Sequence, residues 1–257
     1  MMQHPSRYIL LSFDVEEFDM PLEYGVPIDP ATQMEMGKAG LDAILPVLNE
    51  EEITATLFTT ANFAMHYPDA IRALAAKHEI ASHSFYHSNF SNEHLLESKQ
   101  QLEQISGQSV VGFRMPRMRA VDIEEVKKAG YRYDSSINPT WIPGRYNHLN
   151  LPRTIYTDQE LTRLPTSVSP HLRIPLFWLS FKNFPYPFFK TLVKQTLRKD
   201  GYVCLYFHPW EFVDISHYAL PVYARKPCGV TLLERLWQLI QDFRREGEFI
   251  SIKNYVQ

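Results

Sequence analysis

The chain contains only two cysteines among its 257 residues, Cys204 and Cys228. Two cysteines so far apart exclude a zinc site of the C-x-x-C type. Cys204 lies in the apolar run GYVCLYF (201–207), so we interpret it as a buried core thiol. This sparse usage is typical of a protein from a reducing compartment.

Long hydrophobic runs and an excess of one charge are also missing. No apolar run approaches the ~18 residues of a membrane span. The N-terminal MMQHPSRYILLSFD has neither the basic start nor the long apolar core of a secretory signal. We therefore expect a cytoplasmic protein. This expectation leaves open a contact with the inner face of the membrane. The formal net charge of −3 gives no indication of a nucleic-acid partner.

What the sequence does contain is an alternation of strand-like and helix-like segments. Short apolar or β-branched runs predict strands at 8–13, 54–61, 79–82, 109–113, 131–136, 201–207 and 248–252. Periodic apolar residues with capping signals predict helices at 38–50, 68–78, 91–107, 121–130 and 231–245. This order implies an α/β fold with a parallel sheet and outer helices. We predict a single domain over residues 1–257.

One stretch, residues 137 to about 190, departs from the alternation. It is rich in proline and aromatic residues and is too long for an idle loop, so we expect an insertion that shapes a pocket or covers the core. The basic residues of the partly overlapping basic aromatic segment (173–199) include Lys182, Lys190, Lys194, Arg198 and Lys199. This segment could rest on a membrane surface, but we favour a packed helix with a solvated basic face.

Ionisable residues follow five of the predicted strands. In parallel α/β sheets the ligand binds at the carboxyl ends of the strands, so these side chains should share one rim. They are Asp14, Glu16, Glu17, His83, His87, Arg114, Asp134 and His208. A single one is usually a helix cap or a solvated group. Together they supply two histidines, several acids and an arginine, which favours one site.

The two histidines stand four residues apart in HSFYH (83–87). This spacing places both rings on one side of a turn, as zinc sites require. The spacing alone is slightly more typical of two solvated side chains on a surface turn. A third ligand would have to be an oxygen, and Glu16 is the candidate. Asp14 would point to the same side of the extended segment and could take a proton from water activated by the metal.

Five short motifs then resemble those of a known family. In chain order they are SFDVEEF (12–18), HSFYH (83–87), FRMPR (113–117), YDSSI (133–137) and LYFHPWE (205–211). They are similar to the motifs of the polysaccharide deacetylases, the NodB-homology enzymes of carbohydrate esterase family 4. The resemblance covers residues 8 to about 212 and implies a distorted (β/α)7–8 barrel. The HPWE ending and the segment GRYN look like a bacterial subgroup associated with surface-polysaccharide gene clusters.

The resemblance also implies roles for individual residues. Asp14 corresponds to the general base, and Arg114 to the arginine that holds this base ionised. His83 and His87 correspond to metal ligands. His208 corresponds to the general acid that protonates the leaving amine.

Two further residues of the family pattern lie nearby in the motifs. Asp134 corresponds to the acid that orients His208. Arg117 occupies the position whose backbone N–H helps to bind the oxyanion, which makes its side chain incidental. Three tryptophans, Trp141, Trp178 and Trp210, are candidates for the walls of a glycan site.

The first motif departs from the common form of the family, in which a second adjacent aspartate binds metal. Val15 stands in that position and cannot be a ligand. Some members are similar to D-x-D instead, which makes Glu16 the expected third ligand, with Glu17 and Asp19 as lesser candidates. We expect a divalent metal, Zn²⁺ before Co²⁺ or Ni²⁺.

The expected reaction is the metal-dependent removal of an N-acyl group, most often acetyl, from an amino sugar. Without an export signal, a nucleotide-linked or lipid-linked sugar precursor is a better candidate substrate than a finished surface glycan. Two alternatives remain open. One is hydrolysis of a non-sugar amide such as a cyclic imide or ureide, and the other is a glycan-binding relative that has lost catalysis.

Overall fold

The computed structural model describes residues 7–257, so the first six residues of the predicted domain lie outside the described part. The strands are β1 (Tyr8–Val15), β2 (Thr56–Thr59), β3 (Glu79–Ser82), β4 (Gly112–Phe113), β5 (Tyr133–Asp134), β6 (Trp141–Ile142), β7 (Tyr146–Asn147), β8 (Tyr156–Asp158), β9 (Leu161–Arg163), β10 (Tyr202–Phe207) and β11 (Glu248–Phe249). The helices are α1 (Met20–Glu23), α2 (Pro30–Leu48), α3 (Ala61–His66), α4 (Pro68–Ala75), α5 (Glu93–Ser106), α6 (Ile123–Lys128), α7 (Trp178–Asn183), α8 (Tyr186–Asp200), α9 (Val222–Arg225), α10 (Val230–Phe243) and α11 (Ile252–Val256). Short 3-10 turns cover Pro116–Met118 and Pro209–Phe212.

The main sheet has the order β10-β1-β2-β3-β4-β5-β9-β8, and β11 pairs with β1 beside this path. Every neighbouring pair from β10 to β9 is parallel, and β8 and β9 form an antiparallel hairpin. The sheet curls into an incomplete α/β barrel with helices outside it, which confirms the predicted fold class. Ser167 N–H donates to Cys204 O at 2.9 Å, so the chain after β9 runs along the free edge of β10.

The central strands are buried on both faces because helices cover the outside of the sheet and side chains fill the inside. All of β10 is buried, as is β1 after its first residue, and both are almost continuously apolar. This pattern is typical of parallel strands. The predicted runs 8–13 and 201–207 are therefore confirmed as strands.

Helix α2 begins at Pro30, eight residues before the start predicted from the leucine pattern. The Asp29 side chain accepts a hydrogen bond from Thr32 N–H at 3.0 Å, and Pro30 occupies the first turn, where its missing N–H costs nothing. Pro46 lies in the last turn, and the helix continues past it to Leu48. The sequence signal for the start was therefore the cap, not the apolar pattern.

The expectation of an irregular stretch over 137–190 was wrong in detail. The structure places β6 to β9, α7 and the first turn of α8 there. The four strands are only two or three residues long, which is too short for an alternating pattern to show. The predicted strand 248–252 is likewise shorter, because Ser251 caps α11 by accepting a hydrogen bond from Asn254 N–H at 3.3 Å.

Within residues 7–257 no helix is long and apolar enough to cross a membrane. In the basic aromatic segment, three of the lysine side chains are engaged with acids of the chain itself. Lys190 pairs with Asp242 at 2.7 Å, Lys194 pairs with Glu246, and Lys182 is fully buried. These contacts favour the interpretation of this segment as a packed helix.

Candidate active site

A cavity of about 340 Å³ opens at the carboxyl ends of the sheet strands. Five ionisable residues that the sequence places after strands line it together: Asp14, Glu16, His83, His87 and His208. The structure therefore brings these five side chains together, whereas Glu17, Arg114 and Asp134 do not line the cavity.

The loop after β3 brings the two histidines together. His83 N–H extends the strand by donating to Thr59 O at 2.9 Å. Ser84 then adopts a left-handed backbone with φ 66°, and its N–H donates to Ser82 Oγ at 3.2 Å. This turn leaves the rings of His83 and His87 stacked with centroids 5.5 Å apart.

Glu16 completes a compact group with the two histidines. Its Oε2 atom lies 3.1 Å from Nε2 of His83 and 3.1 Å from Nε2 of His87. The carboxylate is buried, and Oε2 has no hydrogen-bond partner among the described residues. A buried carboxylate oxygen without a donor fits a cation, and the His/His/Glu set is one that Zn²⁺ accepts.

The second nitrogen of each imidazole is engaged away from this group. His83 Nδ1 lies 2.8 Å from the carbonyl oxygen of Arg114, and His87 Nδ1 lies 2.6 Å from Asp19 Oδ1. When Nδ1–H donates in this way, the lone pair of Nε2 is directed towards the third ligand, Glu16. Burial alone would raise the pKa of Asp19, but His87 and Ser88 lower it to about 2.

The longer side chain of Glu16 is held by Trp210. The indole Nε1–H donates to Glu16 Oε1 at 3.1 Å, which leaves Oε2 facing the histidines. Glu17, the neighbouring candidate, accepts hydrogen bonds from Thr60 and Asn62 instead and does not join the group. The geometry thus selects Glu16 among the three acids considered.

Asp14 lies beside this group and is fixed by Arg114. Arg114 Nη1 donates to Asp14 Oδ1 at 2.6 Å and to Ser12 Oγ at 3.0 Å. The guanidinium also donates to the carbonyl and hydroxyl of Ser135, and it lies 3.9 Å from the centroid of the Phe58 ring. Burial alone would raise the pKa of Asp14, but the charges of Arg114 and the nearby histidines lower it, so the carboxylate is held ionised.

His208 stands across from Asp14, with its Nε2 atom 3.9 Å from Asp14 Oδ2. Its Nδ1 atom lies 3.2 Å from Glu211 Oε1, and Glu211 Oε2 lies 3.1 Å from Lys182 Nζ. Lys182 and Glu211 are both completely buried. Burial alone would lower the pKa of His208, but the hydrogen bond and charge of Glu211, with Glu16 and Asp14, raise it.

The model of the family described as "Polysaccharide deacetylase" matches residues 3–133 of the chain, about half of its length. The chain belongs to the polysaccharide deacetylase family. No curated protein sequence matches it.

Several solved structures share the fold. A putative polysaccharide deacetylase from Mycobacterium smegmatis superposes with a TM-score of 0.64 at 18% identity, over 99% of this chain and 91% of that one. A Puue allantoinase has a TM-score of 0.59 at 18% identity, over 97% and 88%. A pseudoenzyme of carbohydrate esterase family 4 from Bacillus anthracis has a TM-score of 0.54 at 14% identity, over 99% and 67%. At these identities the likeness shows the fold of this deacetylase-family chain and not its substrate.

One predicted contact within the family pattern is absent. Asp134 does not pair with His208 but lies 3.0 Å from Arg163 Nε and accepts hydrogen bonds from the side chain and N–H of Ser136. Ser136 Oγ in turn accepts from Met115 N–H at 2.7 Å. Asp134 therefore anchors the loop that supports the Arg114 segment, and Glu211 takes the place beside His208.

The expectation that the side chain of Arg117 is incidental needs correction. Its backbone is left-handed with φ 59°, but its side chain is not incidental. Arg117 Nε lies 2.6 Å from Glu23 Oε1, and Nη2 lies 3.1 Å from Asp19 Oδ2. The Arg117 guanidinium thus links Asp19, which contacts His87, to Glu23 in the cavity lining.

The three tryptophans named as glycan walls differ in position. Trp178 and Trp210 line the cavity, and their rings pack against His208 with centroids 5.1 and 4.7 Å away. Trp210 is 2% exposed, so it supports the site more than it offers a surface. Trp141 is 60% exposed and does not belong to the cavity lining.

Glu211 and Lys182 are the residues that the sequence reasoning missed. Glu211 follows His208 by three residues in HPWE, within the 3-10 turn Pro209–Phe212, so a local signal existed. Lys182 lies on α7, in the insertion, and reaches the site only through tertiary packing. No pattern in the sequence pointed to it.

Proposed function

We propose that this member of the polysaccharide deacetylase family is a metal-dependent hydrolase that removes an N-acyl group, in the first place acetyl, from an amino sugar. One observation carries the proposal. The ionised Asp14 lies between the Glu16/His83/His87 group and His208, with its Oδ2 atom 4.0 Å from His83 Nε2 and 3.9 Å from His208 Nε2. A base, a metal-ligand set and a proton donor therefore face one cavity.

The residues that would hold the metal are Glu16, His83 and His87, and we propose Zn²⁺, with Co²⁺ or Ni²⁺ as alternatives. When bound, the ion would polarise the amide carbonyl and lower the pKa of water to about 7. Burial alone would lower the pKa of His87, but Glu16 and Asp19 raise it to about 9, so His87 would have to give up a proton to act as a ligand.

The remaining steps belong to side chains and backbone of the chain. Asp14 Oδ2 accepts a proton from the attacking water, and Arg114 keeps the carboxylate oriented and ionised. The backbone N–H of Arg117 stabilises the oxyanion of the tetrahedral intermediate. His208, protonated with the help of Glu211, donates a proton to the amine nitrogen, so that the C–N bond breaks to an amine and a carboxylate.

We propose a nucleotide-linked or lipid-linked N-acetyl sugar precursor in the cytoplasm as the substrate, ahead of a finished surface glycan. The HPWE ending and the GRYN segment at 144–147 support an assignment to the subgroup associated with surface-polysaccharide gene clusters. In the structure, His208 and Trp210 of HPWE and Arg145 and Tyr146 of GRYN line the cavity.

The test is acetate release from N-acetyl amino sugars, free, nucleotide-linked and lipid-linked, by protein loaded with Zn²⁺, Co²⁺ or Ni²⁺. Asp14→Asn and His208→Ala should each abolish turnover while metal content, measured by elemental analysis, stays unchanged. Asp42→Asn and His171→Ala, at positions away from the cavity, are the matched controls. Full activity in Asp14→Asn or His208→Ala would contradict the assigned roles.

Hydrolysis of a cyclic imide or ureide is the second candidate, because a cavity of about 340 Å³ also suits a compact amide. The same assay decides between them when allantoin and a cyclic imide are included as substrates. A protein that binds metal and hydrolyses none of these amides would instead support an inactive glycan-binding relative.

A further inference from the structure

The mouth of the cavity is surrounded by four segments that lie far apart in the sequence. They are α1 with Tyr24, the hairpin of β6 and β7 (141–147), the chain 173–183 that includes α7, and α9. All four contribute residues to the cavity lining. Each is hydrogen-bonded to the next around the mouth, so the four segments form a closed ring.

Two links of the ring start from neighbouring residues of the first segment. Glu23 Oε2 accepts a hydrogen bond from Arg145 Nη2 of the hairpin at 2.9 Å. The hydroxyl of Tyr24 lies 3.2 Å from the hydroxyl of Tyr223 on α9. Both links are solvent-exposed, so each contributes little stability alone.

The other two links are made largely by backbone acceptors. Thr140 Oγ1, at the base of the hairpin, donates to Arg173 O at 2.7 Å, and the Arg173 side chain donates back to Pro139 O at 3.1 Å. On the far side, the buried Lys182 Nζ donates to Ala224 O of α9 at 2.7 Å. These links are buried or partly buried, and they fix α7 against α9 and the hairpin against the chain before α7.

A ring of this kind has a consequence for a polymer. An enzyme that acts within a chain of sugars needs a groove open at two ends, because residues on both sides of the reacting sugar must leave the site. Here hydrogen bonds link the four lining segments to one another in a cycle, and the volume of about 340 Å³ is at the small end of the ~300–1,000 Å³ typical of small-molecule sites.

We propose that the cavity is a blind pocket that accepts one terminal sugar residue, with the rest of the substrate leaving through the mouth, and that it excludes internal residues of a polysaccharide. This inference rests on the proposed function and deepens it, because it states which position of an N-acetylated saccharide reaches Asp14 and the metal group.

The experiment uses penta-N-acetylchitopentaose, labelled at its reducing end, and free N-acetylglucosamine, with Zn²⁺-loaded protein. Tandem mass spectrometry locates the residue that loses acetyl. The wild type should favour one terminal residue over the three internal ones by about tenfold or more. The double variant Arg145→Ala/Tyr223→Ala removes the two exposed links and should lose this preference, while Arg72→Ala, a surface arginine away from the mouth, should keep it.

Internal deacetylation by the wild type at a rate comparable to that of the terminus would overturn the inference, and so would an unchanged preference in the double variant. Absence of turnover with every saccharide counts against the proposed function. A binding measurement then still decides this inference. In saturation-transfer NMR of Asp14→Asn with the pentamer, signals confined to one terminal residue support the blind pocket, and signals spread over all five residues contradict it.

Discussion

At the scale of single residues, the unusual glutamate in the first motif is accommodated by a partner from the last motif. Glu16 occupies the site with one methylene more than an aspartate would, and Trp210 holds its Oε1 atom at 3.1 Å. The carboxylate therefore keeps Oε2 within 3.1 Å of both imidazoles despite its extra rotatable bond. The HPWE ending therefore contacts the proposed metal ligand Glu16 and also supplies the proposed acid His208.

This contact leads to the first prediction. Trp210→Phe removes the donor to Glu16 but keeps an aromatic ring beside His208, so metal affinity should fall by about 10–100-fold, the usual effect of losing a partner of a metal ligand. Competition with a chromogenic chelator measures it. Trp237→Phe, at a half-buried position on α10, is the control. Equal affinities for wild type and Trp210→Phe would contradict the orienting role.

The second prediction concerns the pH dependence of His208. The imidazole must be protonated to act as the acid, so activity is lost as pH rises through its pKa. Glu211 raises that pKa, and removing its charge should move the alkaline limb of kcat/KM to lower pH. The double variant Lys182→Met/Glu211→Gln tests this without leaving one buried charge unpaired.

The control for this experiment is a matched pair at the surface, Lys190→Met/Asp242→Asn, which should leave the pH profile in place. A single variant such as Glu211→Gln would be harder to interpret, because the buried Lys182 loses its partner and stability falls. An alkaline limb that does not move in the buried double variant would show that Glu211 has no influence on the acid.

At the scale of elements, two glycines allow helix α2 to pack closely against the backbone of neighbouring segments. A Cβ atom on Gly37 would lie 2.4 Å from the carbonyl oxygen of Glu16, and one on Gly40 would lie 2.4 Å from the carbonyl carbon of Pro209. The helix therefore touches the backbone of both segments that carry the site. A side chain at either glycine would therefore push the helix away from these segments.

The third prediction follows from that approach. Alanine at an ordinary helix position stabilises by about 1 kcal/mol relative to glycine. At Gly37 and Gly40 the sign should reverse, with a loss of about 1–3 kcal/mol in the free energy of unfolding, because a methyl group overpacks the contact. Urea denaturation measures this, with Glu35→Ala on the exposed side of α2 as control. Stabilisation by Gly37→Ala would contradict the packing argument.

These elements also show how far the sequence could predict the site. Asp14, Glu16, His83, His87 and His208 directly follow or end strands, so local patterns and strand topology were enough to bring them together. Lys182 and the glycines of α2 act through contacts between distant segments, and no local pattern distinguishes them. Asp134 was misassigned because a motif position was given its family role, whereas its contacts are with Arg163 and Ser136.

At the scale of the whole molecule, the two ends of the sheet carry buried carboxyl groups of opposite character. At the carboxyl ends Asp14 is held ionised for chemistry. Near the amino end of β3, Glu79 connects three parts of the chain, accepting from Thr56 Oγ1 at 2.7 Å and from Lys253 N–H at 2.9 Å, and lying 2.7 Å from the Tyr133 hydroxyl. Burial raises the pKa of Glu79, so this carboxyl keeps its proton to higher pH than an exposed glutamate does.

The fourth prediction is a pH dependence of stability from Glu79. Because its folded pKa is raised, its contribution is complete below the unfolded value of 4.5 and is lost as pH rises towards the folded pKa. Glu79→Gln imitates the neutral acid, so its stability relative to the wild type should increase with pH. Thermal unfolding between about pH 4 and 9 measures the difference. The exposed Glu97→Gln should show no such trend, and parallel curves for Glu79→Gln would contradict the assignment.

The last prediction links the metal group to global stability. Glu16, His83 and His87 join the segments after β1 and β3, so an ion bound only by the folded chain should stabilise the entire molecule. At a free Zn²⁺ concentration 100 times the dissociation constant, the gain is about 2.7 kcal/mol, which corresponds to roughly 5–10 °C in Tm for a chain of this size. Differential scanning fluorimetry after chelator treatment measures it. His83→Ala should lose the shift and the exposed His171→Ala should keep it, whereas a shift that persists in His83→Ala would place the stabilising ion elsewhere.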